Sequence, residues 1–268
     1  MNVRPRILLT PYLNTRPLWH HGAPHGCALD TLAPRLAVEA MRRGDALAAV
    51  VPVAGLARLQ GIAELLGPYG IACRGRSESV LLCSREPFAA LDATTRLALS
   101  ADSMSSVRLL YLLLARRMPD RGVPRLVAVD EPVDAALIIG DAALRAAGRG
   151  EWPHVTDLAT QWFLAHGRPM VFARWVVSTR ASAGERARLR DWLDDYAGRE
   201  DELRARAAAA DHARAGLDGA AATRYLAGIR TCLDADDLAG QAIYERELAR
   251  YPWPAAFGEA TTHPPLEA

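Results

Sequence analysis

Near its N-terminus the chain reads Ile7-Leu8-Leu9-Thr10-Pro11-Tyr12-Leu13-Asn14-Thr15-Arg16-Pro17-Leu18. The apolar run at its start predicts a buried first strand, and the polar residues after it predict a loop at the carboxyl end of that strand. Ligands of open α/β sheets bind at such strand ends. Asn14 is one of two asparagines in the chain, and its amide offers donors and an acceptor without a charge. On these residues alone, Asn14 either orients a hydroxyl or carboxylate of a ligand or shapes a turn.

Composition limits the classes of function. The chain has 268 residues, half of them hydrophobic, which is enough for one large domain or two small ones. A formal net charge of +1 provides no global field for nucleic acid or for an anionic membrane, so neither is an expected partner. All 32 basic residues are arginine, which excludes Schiff-base lysine chemistry and a P-loop lysine.

Neither a metal centre nor a membrane segment is predicted. No CxxC pair occurs among Cys27, Cys73, Cys83 and Cys232, which disfavours a zinc site and a disulfide framework. Zinc spacing is also absent from His20, His21 and His25, which are expected at the surface. The apolar run before the first loop is too short for a signal peptide. We therefore expect a cytoplasmic protein with reduced thiols, no metal and no other cofactor.

Strand and helix patterns alternate along the chain. Apolar runs predict strands at 46–51, 79–83, 97–100, 126–129, 135–139 and 171–177. Helices are predicted at 36–43 and 107–117, from Glu185 onward nearly everything is helical, and 252–268 is expected to form a loose tail. This alternation predicts an α/β protein with mostly parallel sheets.

The β-rich segments form two blocks, which predicts two lobes joined by two crossing segments. Lobe 1 is expected to comprise residues 1–84 plus 176–268, with the helical C-terminus packed on the first block, and lobe 2 residues 85–175. Ligand sites prefer clefts between such lobes, and the cleft is expected to close around its ligand.

Three serines stand where a predicted strand gives way to a helix, in Ser103-Met104-Ser105-Ser106. Free backbone N–H groups, the positive helix end and the hydroxyls together favour an anion there. The alternative is an ordinary N-terminal cap. A further turn, Arg74-Gly75-Arg76-Ser77, either receives an acidic ligand or is a solvated charged turn.

Two more positions carry candidate chemistry. Asp141 follows Gly140 at the end of a buried strand, where its carboxylate is catalytic or caps the next helix, and the cap is favoured. His166 precedes Gly167 and, by residue type, is the best candidate for a protein base. A solvated loop histidine is the alternative.

The motifs along residues 6–250 follow each other in an order that resembles one known family. The matching segments are Tyr12-Leu13-Asn14-Thr15, Val51-Pro52, Gly75 before Ser79-Val80-Leu81-Leu82, Ser103-x-Ser105-Ser106-Val107, Ile138-Ile139-Gly140-Asp141, Asp157-Leu158 with Trp162, Gly167-x-Pro169-Met170, and Arg224-Tyr225-Leu226. The set resembles the chorismate dehydratases of the futalosine route to menaquinone.

The resemblance implies a two-lobed fold similar to type 2 periplasmic binding proteins and a carbon–oxygen lyase that removes water from chorismate, giving 3-[(1-carboxyvinyl)oxy]benzoate. It implies that Asn14 is the catalytic residue, and that substrate is bound by Tyr12, Thr15, Ser79, Ser103, Ser105, Ser106, Gly140, Asp141, His166 and Gly167. A non-catalytic cytoplasmic binding protein for an aromatic carboxylate, built on the same scaffold, is the alternative function.

Three positions depart from the pattern of that family. Leu47 replaces a usual acidic residue, Val53 a usual serine, and His166 a usual threonine. Val53 and His166 are expected to face the cleft, where they would alter the substrate pocket.

Overall fold

A computed structural model describes residues 4–117, 122–127, 132–251 and 253 of the chain. The strands are β1 (Arg6–Leu9), β2 (Ala28–Thr31), β3 (Ala48–Pro52), β4 (Ala63–Cys73), β5 (Val80–Ser84), β6 (Arg96–Leu99), β7 (Arg125–Leu126), β8 (Ala135–Ile139), β9 (His154–Asp157), β10 (Met170–Ser178) and β11 (Arg230–Cys232). The predicted tail at 252–268 lies outside the described residues apart from Trp253, and so does part of the strand predicted at 126–129.

The α-helices are α1 (Arg16–His21), α2 (Pro34–Arg43), α3 (Ser105–Arg117), α4 (Asp141–Arg149), α5 (Leu158–His166), α6 (Ala183–Gly198), α7 (Glu200–Asp211), α8 (Gly219–Gly228) and α9 (Ala235–Arg250). Local chemistry explains several of their ends. Pro34 opens α2, where its missing N–H costs nothing, and Gly44 ends it in the left-handed region at φ 78°. The Asp157 carboxylate caps α5 by accepting two N–H bonds. None of the described helices has the length and apolar character that crossing a bilayer requires.

Two mixed sheets organise the strands. The first has the order β11-β4-β10-β3-β1-β2 and the second β7-β6-β8-β5-β9. Strand β1 is parallel to β2 and β3, and β6 is parallel to β7 and β8. Strands β5 and β10, however, run antiparallel to both of their neighbours. The prediction of mostly parallel sheets is therefore wrong, because the strands by which the chain enters the second sheet and returns to the first oppose the strands beside them.

The chain changes sheet twice, between Cys73 and Val80 and between Asp157 and Met170. Both changes come earlier than the boundaries expected at 84/85 and 175/176. The division into a lobe of 1–84 plus 176–268 and a lobe of 85–175 stays a prediction.

Each sheet has its own apolar core. On the first sheet, Trp175 packs with residues of α6, α7 and α8 such as Trp192. On the second sheet, α3 and α5 bury Tyr111 and Trp162. The C-terminal helix α9 joins the second core, where the Tyr244 hydroxyl donates to the Ser105 carbonyl at 2.8 Å. Helix α9 also contacts β10 of the first sheet, so the packing of the C-terminal helices on the first block stays a prediction.

Candidate active site

A cavity of about 670 Å³, including its mouth, lies between the two sheets. The lining comes from the loop after β1, the crossing segment before β5, the residues around the start of α3, the end of β8 and part of β10. Its polar side chains are Thr10, Tyr12, Asn14, Cys73, Ser77, Ser79, Ser103, Ser105 and Ser106.

The cavity wall is uncharged. None of its described lining residues is an acid, an arginine or a histidine. Burial, aided by Asp102 and Asp141, raises the pKa of Tyr12 far above its usual value, so this phenol keeps its proton. Burial likewise holds the pKa of the Cys73 thiol well above its usual value. Such a wall offers neutral hydrogen-bond donors to a ligand but no side chain of ordinary basicity.

Asn14 lies on this wall, in a short 3₁₀ turn (Leu13–Thr15) that follows β1. The Thr10 hydroxyl, which also lines the cavity, donates to Asn14 Oδ1 at 3.3 Å. Because this bond engages the amide oxygen, the NH₂ group is the part of Asn14 left to donate to a ligand.

Thr15 is buried behind the loop and does not line the cavity. Its hydroxyl donates to the Thr10 carbonyl at 2.6 Å and lies 3.1 Å from the Tyr12 carbonyl. The structure thus places Thr15 in the support of the turn and away from the expected contact with substrate, because backbone carbonyls of the same turn take up its proton.

The three serines near the start of α3 have different surroundings. Ser105 Oγ donates to the Phe172 carbonyl at 2.9 Å and accepts from the Ala54 N–H at 3.2 Å. Its proton is therefore engaged within the protein and does not serve the expected anion. Ser103 Oγ is buried and has no hydrogen-bond partner among the described residues, and Ser106 also lines the cavity. Since the first N–H groups of a helix have no intrahelical acceptor, Ser103, Ser106 and the start of α3 together present donors to the cavity.

Ser79 and Ser77 complete the polar wall at the crossing segment. Ser79 Oγ accepts from the Tyr225 hydroxyl at 3.1 Å and donates to the Ser77 carbonyl at 3.3 Å. The Asp157 carboxylate holds Ser77 through its N–H at 3.0 Å and through its hydroxyl. The neighbouring arginines are not on the wall: Arg74 pairs with Asp236 instead.

The structure assigns Gly140 to the cavity wall but leaves Asp141 off it. Gly140 is the N-cap residue of α4, and no side-chain bond caps that helix. The Asp141 carboxylate instead accepts the Leu13 N–H at 2.8 Å. The interpretation of Asp141 as a cap of its own helix is therefore wrong, because a backbone donor from the first loop occupies the carboxylate.

His166 and Gly167 also lie off the cavity wall. The His166 ring packs against Trp162 in a tilted arrangement, with 3.9 Å between ring centroids, and its Nε2 lies 3.4 Å from Glu247 Oε1. Gly167 ends α5 in the left-handed region at φ 64°. The last turn of α5 directs the His166 ring into the packing against α9, and its approach to the substrate on closure stays a prediction.

Burial gives His166 a measurable signature. Together with the charges of Arg116 and Arg246, it lowers the pKa of His166 to about 4. The unfolded chain binds this proton near its ordinary pKa of about 6.5. Folding stability should therefore decrease as the pH falls from 6.5 toward 4, by at most about 1.4 kcal/mol per pH unit from this residue.

We expect His166→Thr to remove the part of the pH dependence of folding stability that this histidine causes. Urea unfolding of wild type and variant at about pH 7.5 and about pH 5 should show a free-energy difference that shifts in favour of the variant at the lower pH. Turnover should change by less than about threefold, because the side chain does not reach the cavity. Parallel stability–pH curves would show that His166 is already protonated in the folded protein.

The other departures from the family pattern also lie off the cavity wall. Val53 is buried in the core of the second sheet, and Leu47 packs beside the core of the first. The expected change of the pocket through Val53 is therefore not supported by its position.

Two histidines of the N-terminal region, His20 and His21, contact other side chains of the first lobe's helices. His20 Nε2 lies 2.8 Å from Asp211 Oδ2. His21 stacks on Trp192 with only 5% of its side chain exposed, so its expected surface position is wrong. Over the ranges that the structure describes, no group of three or more histidines, cysteines or acids is placed to hold a metal ion, and the four cysteines are free.

Comparisons with known proteins agree with this architecture. Among solved structures, a protein of Archaeoglobus fulgidus matches with a TM-score of 0.68 at 16% identity, over 91% of this chain and 96% of that one. A Candida albicans protein described as having the generic periplasmic binding protein fold matches with a TM-score of 0.56 at 9% identity, over 96% and 93%. The periplasmic aliphatic sulphonate binding protein of Escherichia coli matches with a TM-score of 0.58 at 14% identity, over 92% and 85%. These likenesses confirm the predicted periplasmic-binding-protein-like fold.

Sequence comparison is more specific. A chorismate dehydratase of Thermus thermophilus is 30% identical over 196 residues, which cover 65% of this chain and 70% of that protein. A family model described as menaquinone biosynthesis matches residues 5–250. Because the match spans both sheets and the C-terminal helices, and so confirms the resemblance found in the ordered motifs, this chain belongs to the menaquinone biosynthesis family.

Proposed function

We propose that this protein is a chorismate dehydratase, a carbon–oxygen lyase that converts chorismate into 3-[(1-carboxyvinyl)oxy]benzoate in menaquinone biosynthesis. The observation that carries the proposal is the uncharged, donor-rich cavity between the sheets, whose lining includes both Asn14 and the serines around the start of α3. The similarity to a protein named chorismate dehydratase supports the choice of substrate.

The reaction makes modest demands on acid–base groups. A proton leaves the ring carbon that bears the enolpyruvyl ether, the bond from the neighbouring carbon to its hydroxyl breaks, and the hydroxyl departs as water. The ring becomes aromatic. The ring carbon that loses the proton is joined through a double bond to the carbon that bears the ring carboxylate. Hydrogen-bond donors to that carboxylate therefore stabilise the negative charge that develops.

We assign the ring carboxylate to Ser103, Ser106 and the start of α3, and the leaving hydroxyl to the Asn14 NH₂ group. An amide is not a base, and the described wall residues include no carboxylate and no imidazole. The proton acceptor in this scheme is the enolpyruvyl carboxylate of the substrate itself, which then passes that proton to the departing hydroxyl, so that water leaves and the carboxylate is regenerated. Catalysis then consists of orientation and of fixed dipoles aimed at the substrate.

The competing function is a non-catalytic binding protein for an aromatic carboxylate. The same donors would serve it, but the family match to menaquinone biosynthesis favours an enzyme. With a biosynthetic role, we also propose that the protein acts in the cytoplasm on a small-molecule substrate, without a cofactor, a membrane or a nucleic acid.

The deciding experiment is incubation of the purified protein with chorismate, followed by mass spectrometry of the small molecules. We expect chorismate to be replaced by a product lighter by one water, with the absorbance of a substituted benzoate. The Asn14→Ala variant is the matched control, since it should bind chorismate without consuming it. Tight binding without turnover by the wild type would instead support the binding protein.

A further inference from the structure

A buried hydrogen bond attaches the turn that carries Asn14 to the helix after the second sheet's strand β8. The Leu13 N–H donates to Asp141 Oδ1 at 2.8 Å, across 128 residues of sequence. Leu13 is fully buried, and Asp141 is 9% exposed. A backbone N–H on a carboxylate is a strong bond in such surroundings.

A second contact lies beside it. The Tyr12 ring rests directly on the Gly140 backbone, so closely that a Cβ at Gly140 would lie 2.4 Å from Tyr12 Cδ1. Only glycine permits this approach, and Gly140 also has a φ of +64°. The Tyr12 hydroxyl reaches Asp102 Oδ2 at 3.5 Å, just before α3.

The Asp141 carboxylate lies in the field of Arg145, Arg214 and Arg16, but its hydrogen bond goes to the first loop. It stands at the first position of α4, where the positive helix end favours its charge, yet it makes no cap bond there. It therefore stays available to a donor from the other sheet, and the donor it receives is the residue before Asn14.

We propose that Gly140 and Asp141 form an inter-lobe latch that positions Asn14, with Asp141 as a positioning residue acting through the Leu13 N–H. When the latch is made, the 3₁₀ turn is held against the second sheet and the Asn14 amide faces the serines at the start of α3. When it is broken, the turn is free to move with the first sheet alone. The effect on catalysis rests on the proposed function, whereas the attachment itself does not.

The first test compares Asp141→Ala with Asp141→Asn. Alanine removes the acceptor, whereas asparagine keeps an oxygen in the same place. In Asp141→Ala we expect amide hydrogen exchange at Leu13 to accelerate at least about tenfold and kcat on chorismate to fall about 10- to 100-fold, with a smaller change in KM. Asp141→Asn should restore Leu13 protection and recover kcat to within about fivefold of wild type.

Asn14 itself provides a readout that needs no turnover. The chain has two asparagines, so selective ¹⁵N labelling of asparagine gives two side-chain NH₂ signals, of which the Asn14→Ala variant identifies one. We expect the Asn14 signal to shift or broaden in Asp141→Ala and to return in Asp141→Asn.

The second test uses glycines of equal backbone conformation. Gly140→Ala should displace the Tyr12 ring and reproduce the exchange and NMR changes of Asp141→Ala. Gly150→Ala is the matched control, because Gly150 has the same φ of +64° at the other end of α4 but nothing within 4 Å of the added Cβ. It should lower stability without changing the Leu13 or Asn14 readouts.

The outcomes separate the latch from the proposed function. If Asp141→Ala lowers stability but leaves Leu13 exchange and the Asn14 signal unchanged, the latch is refuted. An Asp141→Asn variant as inactive as Asp141→Ala would also overturn it, because the charge of Asp141 would then matter rather than its place as an acceptor. A wild type inactive on chorismate would reject the proposed function, while exchange and NMR would still decide the latch.

Discussion

Asn14→Ala is expected to lower kcat on chorismate by at least about a hundredfold, the loss typical for removing one donor aimed at developing charge. The Thr10 hydroxyl engages the oxygen of the Asn14 amide, which leaves the NH₂ group to donate to the substrate. Asn14→Asp should be at least as damaging, because it places a negative charge in an uncharged cavity that must admit an anion. Steady-state kinetics with chorismate gives both values.

Stability should hardly change in these variants. Asn14 is only half-buried, and its contact with Thr10 is a long hydrogen bond of 3.3 Å. The thermal midpoint of each variant should therefore stay within a few degrees of the wild type. Thr10→Val is a useful companion, since it keeps Asn14 but releases its oxygen and should give an intermediate kcat. Activity of Asn14→Ala within a few-fold of wild type would mean that Asn14 only shapes the turn.

The double variant Ser103→Ala/Ser106→Ala is expected to weaken chorismate binding strongly. One hydrogen bond to a charged group contributes about 1.5–3 kcal/mol, so losing two should raise KM by roughly two to four orders of magnitude. Folding stability should not suffer, because Ser103 Oγ is buried without a partner among the described residues and its removal leaves no acceptor there unsatisfied. Binding is measured by calorimetry in the Asn14→Ala background, where chorismate is not consumed.

Ser105→Ala is the matched comparison on the same turn. This change removes bonds to the Phe172 carbonyl and the Ala54 N–H, so it should destabilise the fold by about 1–3 kcal/mol. It should affect KM much less than the double variant. If Ser105→Ala impaired binding more than Ser103→Ala/Ser106→Ala, the carboxylate would have to lie elsewhere on the wall.

Sequence patterns predicted elements well where burial is uniform. The strand at 135–139 matches β8, and the fully buried β3 and β5 lie within one or two residues of their predicted positions. Strands β2, β9 and β11 escaped prediction because they are largely half-exposed and lack an apolar run. Strand β4 escaped because only its second half is continuously buried. One predicted apolar strand also holds Arg174, which is buried because the Tyr69 and Gly67 carbonyls and the Gln241 side chain accept its N–H groups.

By itself, the sequence determined the α/β class, the two β-rich blocks, the family and the segments that carry Asn14 and the α3 serines. These follow from local spacing, since strand ends and helix starts are encoded in neighbouring residues. It left open what each polar group bonds to. The sequence assigned no role to Thr10 or Phe172. Thr10 directly follows the first strand, and its hydroxyl donates to Asn14 Oδ1, while the Phe172 carbonyl accepts from Ser105 Oγ.

Only the tertiary structure decided those partners. Ser105 finds its acceptor 67 residues away, and Asp141 finds its donor 128 residues away. The packing of the two sheets therefore decides which candidate side chains line the cavity and which hold its loops in place. The same packing turned His166 onto Trp162 and away from the cavity. A side chain's chemistry can be predicted from its type, but its task depends on which distant donor or acceptor the fold brings within about 3 Å of it.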